Sequence, residues 1–285
     1  LAAAQRQLRG CKMVVQSAPF ALDDEERLGF LAACIDAGRF LTGPDMGFAP
    51  ELSDALRRRF TRHIVGGARG SLGPTGTPTA HGCFMAIREA ARVAFGSDDV
   101  RGLRVGVQGL GAVGLPLVRL LAAGGARVAV ADLDPLRIQR ARDEVAGLEV
   151  LAPETALLAD ADVVAPCALG GVLDAATIDR LRCKLVFGAA NNQLRAVSLD
   201  EEVSLAERLQ SRGILYQPDW MHNTAGVMAG FEEYVHGDDA RLERVLARVE
   251  RVCRDGTREV LREARETGRT PTAVAYARVE RALQD

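Results

Sequence analysis

A glycine-rich turn stands near the middle of the chain, between an apolar run and a helical pattern. Arg104–Gln108 is typical of a short buried strand, Gly109, Gly111 and Gly114 follow at once, and Leu115–Ala123 has the pattern of a helix. Gly109 permits a tight turn, Gly111 lets the backbone approach a phosphate, and Gly114 lets helix and strand pack closely. The N-terminus of the helix adds free N–H groups for an anion. The spacing therefore predicts a dinucleotide site, and a turn that serves only packing is the alternative.

A second apolar run, Arg127–Ala131, ends on Asp132. A carboxylate at this position accepts hydrogen bonds from the ribose hydroxyls of an adenosine and repels a 2′-phosphate, so we expect NAD rather than NADP. Asp134 repeats the negative charge, and its alternative role is to cap the helix that opens with Pro135. Arg137 falls within that helix.

The composition is that of an ordinary globular protein of one or two domains, with 285 residues, 48% hydrophobic and 26% charged. The formal net charge is -2, and no basic stripe is interleaved with aromatic residues, so nucleic acid is not an expected partner. No apolar run approaches the roughly 20 residues of a membrane span. Six cysteines without paired spacing indicate reduced thiols in a cytoplasm, and four scattered histidines give no reason to expect a metal site.

Short apolar runs alternate with helical stretches from about residue 103 to 218, which predicts an α/β domain with a doubly wound parallel sheet. Before this region we expect strands at Lys12–Val15 and Phe40–Thr42, and after it mostly helices. The predicted domains are a substrate domain over residues 1–97, joined by C-terminal helices at 239–285, and a dinucleotide-binding domain over residues 98–238.

Three further motifs follow predicted strands. Pro166–Gly171 has the sequence PCALGG, Gly188–Leu194 has the sequence GAANNQL, and Gln217-Pro218-Asp219 leads to Asn223. Ligands of a doubly wound fold bind at the carboxyl ends of the strands. Small residues there leave room for a nicotinamide ribose, and Asn191 and Asn223 supply amides that orient it. The alternative is that the two asparagines are ordinary turn residues.

Together with the turn at residues 109–114, these strings resemble the leucine, valine and phenylalanine dehydrogenases of the glutamate dehydrogenase superfamily, and above all the leucine and valine members. The resemblance extends from Gly10 to the C-terminus. It implies a Rossmann-type NAD domain, a second α/β substrate domain with a cleft between the two, and a homo-oligomer. Its ligands would be NAD, an amino acid or 2-oxo acid, and ammonia.

The resemblance also implies roles for individual residues. Lys12 matches the family's catalytic lysine, which deprotonates the water that attacks an imine; an exposed lysine beside a strand is the alternative. Asp45 matches the catalytic aspartate that exchanges protons with the amine, or is a turn residue. Thr79 would contact the nicotinamide carboxamide, or cap a helix. Asn191 and Asn223 would orient substrate or nicotinamide.

The expected cofactor-binding residues lie in the glycine turn and at the following strand ends: Gly109, Gly111, Ala112, Val113, Gly114, Asp132, Leu133, Cys167, Ala168, Leu169, Ala189 and Asn191. Four residues depart from the family's turns: Arg9, Cys11, Thr224 and Ala225. The family's carboxylate-binding lysine would fall just ahead of Leu1, so we expect the substrate domain to be incomplete at its N-terminus.

The predicted function is NAD-dependent, reversible oxidative deamination of an apolar L-amino acid, branched-chain or aromatic, to its 2-oxo acid and ammonia. Two alternatives remain. One is a non-catalytic relative that binds NAD, and the other is a dehydrogenase of specialised metabolism that acts on an unusual amino acid.

Overall fold

The computed structural model describes residues 14–45 and 47–284, and the chain divides into two compact units. The smaller unit extends up to Pro78 and includes Ala225–Ala247. The larger unit comprises Thr79–Thr224 and the residues from Arg248 onward. These limits differ from the predicted ones at 97/98 and 238/239. The assignment of one domain to substrate and one to cofactor stays a prediction.

A six-stranded parallel sheet forms the centre of the larger unit, in the order β3-β2-β1-β4-β5-β6. The strands are β1 (Arg104–Gln108), β2 (Arg127–Ala131), β3 (Glu149–Val150), β4 (Val163–Pro166), β5 (Leu185–Val186) and β6 (Leu215–Tyr216). The strand order reverses between β1 and β4, which is the point where ligands of such sheets bind. The predicted doubly wound α/β fold is therefore confirmed.

The register brings three strands to the same edge of the sheet. Gln108, the last residue of β1, is paired with Ala131 of β2 on one side and with Pro166 of β4 on the other. The turns that follow these strands therefore start from one level. β3 was not predicted, because it has only two residues and Glu149 is exposed.

Helices cover both faces of the sheet. The helices of the larger unit that bear on this sheet are α3 (Gly76–Phe95), α4 (Gly114–Ala123), α5 (Pro135–Glu144), α6 (Ala175–Arg180) and α7 (Leu199–Ser211). Successive strand side chains point to opposite faces. Accordingly Val163 and Ala165 of β4 belong to the core cluster of α3 and α4, whereas Val164 belongs to the cluster of α6 and α7.

The smaller unit is built around the helices α1 (Glu25–Gly38), α2 (Pro50–Arg59) and α8 (Ala225–His236). Its core includes Leu28, Leu56 and Ile64. The two strands predicted here are not found in the described residues. Val14 and Val15 are exposed and form no strand, while Lys12 and Met13 lie outside the described residues. Thr42 forms only an isolated parallel bridge with Ile64.

Buried Glu233 of α8 organises the loop that follows this bridge. Its side chain is ion-paired with Arg57 of α2, and its Oε2 accepts a hydrogen bond from the backbone N–H of Gly66 at 2.8 Å. Charged side chains are rarely buried unless they are paired. The carboxylate therefore fixes the loop to two helices of the smaller unit.

The C-terminal part of the chain is helical, as predicted. α9 (Leu242–Val249) continues through a π-helical segment (Glu250–Asp255) into α10 (Gly256–Thr267), and α11 is Pro271–Gln284. Gly268 ends α10 with a φ of +70°, a conformation that favours glycine. Among the described residues, no helix combines the length and the apolar character that crossing a membrane requires.

Candidate active site

The three glycines of the turn after β1 meet three different surroundings. Gly109 has a φ of +95°, and a Cβ added to it would lie 2.8 Å from the Cβ of Ala168. A Cβ on Gly114 would clash with the carbonyl oxygen of Gly109. Packing within the protein therefore explains both glycines. A Cβ on Gly111 would have Arg137 Nη1, 3.8 Å away, as its nearest described neighbour. Packing therefore does not require glycine at 111, and the space beside it is open to an approaching ligand.

Helix α4 presents an uncapped N-terminus to the same turn. Val113 precedes the helix and gives it no side-chain cap, and its first turn contains no acidic residue. The first N–H groups of a helix lack intrahelical partners, and together with the helix dipole they attract an anion. In α4, the N–H of Leu115 donates to the carbonyl oxygen of Gly111 at 3.3 Å and the next residue is a proline without an N–H, so the donors for a pyrophosphate would be the N–H groups of the turn itself and of Gly114. Ala112, between Gly111 and Val113, is exposed beside them.

Asp132 ties the end of β2 to the glycine turn. Its Oδ2 accepts a hydrogen bond from the N–H of Leu110 at 2.6 Å, and its Oδ1 accepts one from the N–H of Asp134 at 2.9 Å. Arg137 Nη1 lies 3.7 Å from Asp132 Oδ2. Arg137, which the sequence analysis left as a helix residue, therefore offsets part of this negative charge. Asp134 also accepts from the N–H of Leu136, so its capping role is confirmed.

Exposed apolar side chains border the turn at the ends of two strands. Leu133 is 88% exposed after β2, and Leu169 is 66% exposed after β4. Such surfaces suit a flat ring such as adenine or nicotinamide. Cys167 precedes Ala168 in the same loop, and burial raises the pKa of its thiol to about 11. It is therefore a small neutral side chain at neutral pH and not a thiolate nucleophile.

The loops after β4 and β5 pack backbone against backbone. A Cβ on Gly170 would clash with the carbonyl oxygen of Asn191, and a Cβ on Gly188 would clash with Pro166. The N–H of Gly171 donates to the carbonyl oxygen of Asn192 at 2.7 Å. The PCALGG and GAANNQL motifs are thus two halves of one packed surface.

The side chain of Asn223 contacts other residues that were predicted to lie near the nicotinamide. Its Nδ2, which has two N–H groups, has three acceptors in reach: Asn191 Oδ1 at 2.8 Å, Asp219 Oδ2 at 3.1 Å and the carbonyl oxygen of Ala189 at 3.4 Å. Asp219 Oδ1 also accepts from the backbone N–H of Asn192 at 3.1 Å. The structure therefore brings Asn191, Asn223 and Ala189 together, as expected for residues at neighbouring strand ends.

Asp219 is a member of this cluster that the sequence analysis did not assign. Its side chain is 4% exposed, and burial raises the pKa of its carboxyl to about 6. Titratable groups with shifted pKa values gather at functional sites. Its position directly after Pro218, at the end of β6, was the available signal. That signal is weak, because Pro-Asp is also common in turns.

His222 supports the same cluster from inside the protein. The ring is fully buried, its Nε2 lies 2.9 Å from the carbonyl oxygen of Gly188, and its Nδ1 lies 3.1 Å from Gln217 Nε2. Burial lowers the pKa of His222 to about 4, so the ring is neutral. A neutral ring has one N–H, which Gly188 must accept, so Nδ1 accepts from Gln217. Gln217 Nε2 also donates to Thr257 Oγ1 at 3.0 Å.

The remaining predicted residues have separate locations. Thr79 lies in the first turn of α3 and is buried in the larger unit. Asp45 is exposed in the smaller unit, in a turn closed by backbone hydrogen bonds with Phe48 of 2.9 and 3.3 Å. Lys12 lies outside the described residues. Within the described ranges, no three His, Cys, Asp or Glu side chains form a group that could hold a metal ion.

Comparisons with known proteins agree with this geometry. Residues 135–284 match the model of the Glutamate/Leucine/Phenylalanine/Valine dehydrogenase family. The chain is 32% identical to the valine dehydrogenase of Streptomyces virginiae, over 97% of this chain and 76% of that protein. It is 35% identical to the leucine dehydrogenase of Thermoactinomyces intermedius, over 87% of this chain. The crystal structure of the L-tryptophan dehydrogenase from Nostoc punctiforme superposes with a TM-score of 0.72 and 29% identity, covering 93% of this chain and 73% of that one.

The chain therefore belongs to the Glutamate/Leucine/Phenylalanine/Valine dehydrogenase family, as the resemblance implied. It spans 66% of the length of the matching leucine dehydrogenase.

Because Gly111 and Gly114 have different surroundings, substitution by alanine should lower stability at Gly114 and dinucleotide affinity at Gly111. Gly114→Ala places a Cβ against the Gly109 carbonyl and should lower the free energy of unfolding by about 1–3 kcal/mol. Gly111→Ala meets open space, so its unfolding curve should match that of the wild type. Its dinucleotide Kd should rise about tenfold to a hundredfold, because the added methyl group keeps the pyrophosphate away from the backbone N–H groups and a hydrogen bond to a charged group is then not formed. Urea unfolding and dinucleotide titration of both variants check this. A stability loss in Gly111→Ala with normal binding would contradict it.

The buried neutral His222 predicts a specific pH dependence of stability. Its pKa is lower in the folded than in the unfolded chain, so the unfolded chain binds the extra proton and stability falls as the pH drops below about 6.5. The loss contributed by this one group between pH 7 and 5 should be about 2 kcal/mol. His222→Leu should remove that part of the pH dependence, whatever its absolute stability. His236→Gln, at an exposed histidine, is the control and should retain it in urea unfolding at both pH values.

Proposed function

We propose that this protein catalyses the reversible, NAD-dependent oxidative deamination of an apolar L-amino acid to its 2-oxo acid and ammonia. The observation that carries the proposal is the Asn191–Asn223–Asp219 cluster beside a glycine turn that is open at Gly111. A dinucleotide site alone fits many proteins. Amides gathered at the neighbouring strand ends add the polar groups that orient a reacting ligand.

The residues around the turn fit NAD. The N–H groups of the glycine turn and of Gly114, with the space at Gly111, would hold the pyrophosphate, and the carboxylate of Asp132 would accept from the adenosine ribose. The exposed leucines at 133 and 169 would lie against the rings. When bound, NAD supplies the hydride acceptor. Asn191 and Asn223 would orient the nicotinamide or the substrate, and Thr79 would contact the carboxamide.

Proton transfer falls to side chains of the N-terminal part of the chain. We assign Asp45 to proton exchange with the substrate amine, which its exposure in a short, hydrogen-bonded turn permits. Lys12, beyond the described residues, is assigned to deprotonation of the attacking water. Both assignments come from the family resemblance. A homo-oligomer and a cytoplasmic location remain predictions.

The substrate side chain is proposed to be aliphatic or aromatic. The relatives named above act, by their names, on valine, leucine and tryptophan. A glutamate side chain would need a cation at its end, and the motifs PCALGG, GAANNQL and the turn at 109–114 contain no lysine or arginine.

Asp132 predicts a preference for NAD. NAD should bind at least about tenfold more tightly than NADP, because the carboxylate repels a 2′-phosphate. Asp132→Asn keeps one acceptor oxygen but removes the charge, so the two affinities should converge. Arg137→Ala removes the neighbouring cation and should widen the gap. Asp143→Asn, on the exposed surface of α5, is the matched control. Fluorescence titrations with NADH and NADPH measure this, and equal affinities in the wild type would overturn the role of Asp132.

The role assigned to Asp45 predicts that its substitution lowers turnover without lowering the affinity for the cofactor. Asp45→Asn should lower kcat at least about a hundredfold, in line with removal of a general acid–base group. Its NADH affinity should stay at the wild-type value, because the turn at 109–114 is in the other unit. Asp23→Asn, an exposed aspartate of the smaller unit, is the control. Wild-type kcat in Asp45→Asn would refute the assignment.

The substrate class is tested by a deamination screen. Leucine, valine, phenylalanine, tryptophan and glutamate are supplied with NAD, and formation of NADH is followed. Turnover of one or more of the first four is expected. A preference for glutamate would overturn the proposed pocket. No turnover with any amino acid, together with intact NADH binding, would favour the non-catalytic alternative.

A further inference from the structure

Buried Asp219 joins two of the loops at the carboxyl edge of the sheet. One carboxylate oxygen accepts from the backbone N–H of Asn192 in the loop after β5, and the other accepts from the side chain of Asn223 in the segment after β6. Asn192 has a φ of +51°, a left-handed conformation that asparagine tolerates better than most residues. A single carboxylate thus fixes both the turn that carries Asn191 and the amide of Asn223.

Burying this carboxylate costs free energy, so the presence of an aspartate at this position calls for a physical reason. Its hydrogen-bond donors are neutral N–H groups, and the charged group that acts on it most is the acidic Glu202. A neutral amide at 219 would avoid the cost of a buried charge. It would not fix the neighbouring amide in the same way, because an amide presents a donor as well as an acceptor.

The hydrogen-bond partners of the Asn223 amide differ in whether they require its nitrogen to face them. Asn191 is exposed and is itself an amide, so it can present either its oxygen or its nitrogen. The carbonyl of Ala189 is 3.4 Å away, which is long for an N–H···O hydrogen bond. An ionised carboxylate is an acceptor only, and Asp219 is at 3.1 Å. It therefore requires the nitrogen of Asn223 to face it and turns the oxygen Oδ1 to the other side.

We infer that Asp219 is a positioning residue, whose carboxylate sets which end of the Asn223 amide is presented to the ligand. The inference rests on the proposed function only in that Asn223 is taken to orient substrate or nicotinamide. Ionised Asp219 leaves Oδ1 of Asn223 to accept a hydrogen bond from the ligand. Protonated Asp219 has its own O–H to donate and also tolerates the reversed amide.

Three titratable groups on neighbouring elements face Asp219. They are Glu202 on α7, Tyr216 on β6 and Tyr276 on α11. Burial raises the pKa of both tyrosines, so they stay neutral, and Tyr276 donates to Glu202 Oε2 at 2.7 Å. His222, three residues along the chain, has its pKa lowered to about 4 by burial. A change in the Asn223 amide between pH 5 and 7 that is lost in Asp219→Asn is therefore attributable to Asp219.

The first test needs no activity. In the ¹⁵N-labelled chain, the side-chain NH₂ signal of Asn223 is identified by its absence in Asn223→Asp. The signal should shift with a midpoint near pH 6 in the wild type and stay fixed in Asp219→Asn. Asp162→Asn is the matched control: Asp162 also accepts a backbone N–H, from Arg104 at 2.8 Å, but at the amino end of β1. It should keep the wild-type titration. A signal that does not titrate in the wild type, or that titrates equally in Asp219→Asn, overturns the inference.

The second test is kinetic. Asp219→Asn should lower kcat/KM for the amino acid about tenfold to a hundredfold at pH 8, the cost of a misplaced ligand contact, while its NADH affinity stays within about twofold. The fall of kcat/KM on the acid side, with an apparent pKa of about 6, should disappear. Parallel loss of NADH binding and stability would indicate a purely structural role and overturn the inference. A wild type without turnover on any amino acid would count against the proposed function, and the Asn223 titration would still decide the role of Asp219.

Discussion

Close backbone approach at the carboxyl edge of the sheet is the constraint on which the site depends. The turns after β1, β4 and β5 touch one another through positions where a Cβ would collide with a neighbouring loop: Gly109 with Ala168, Gly170 with Asn191, and Gly188 with Pro166. Side chains that project toward the ligand are placed by these contacts. Gly111 stands apart, because the protein leaves space where its side chain would be.

Buried polar groups then fix the loops that the glycines bring together. Asp219 holds Asn192 and Asn223, and His222 joins the Gly188 carbonyl to Gln217 and, through it, to Thr257. Polar groups in a low-dielectric interior are costly when unpaired and rigid when satisfied. The cost of burying these groups appears in their pKa values, which burial raises for Asp219 and lowers for His222. In the larger unit, apolar packing forms the sheet and helices, and this polar network sets the orientation of the amides.

In the smaller unit, too, apolar packing holds the helices and a buried polar group holds a loop. Its helices pack through Leu28, Leu56 and Ile64, and the buried carboxylate of Glu233 holds the loop at Gly66. Asp45 lies near the start of this region in the sequence, in a turn that Gly43 allows to approach the Val65 carbonyl at close range. A Cβ on Gly43 would be 2.7 Å from that oxygen. The segment before Asp45 is thus anchored by a glycine contact, as are the loops after β4 and β5.

The sequence by itself determined the architecture of the larger unit. Alternating apolar runs and helical stretches specify a doubly wound sheet because burial on both faces leaves a periodic signal, and glycine spacing marks the turn after β1. Asn191 and Asn223 were predicted to lie at the same edge of the sheet, since parallel strands end at one edge. The short strand β3 was not predicted, because two residues are too few to show an apolar periodicity. The strands expected before residue 43 are not formed by the described residues.

Tertiary structure decided the rest, because it depends on contacts between residues distant in the chain. Nothing local to Asp219 distinguishes it from a turn aspartate, and its role follows from meeting Asn192, 27 residues away in the sequence. The position of Arg137 beside Asp132 and the link of His222 to Gly188, 34 residues away, are of the same kind. Local pattern encodes which strands and turns form. Which polar atoms face one another across those turns is fixed only when the loops pack.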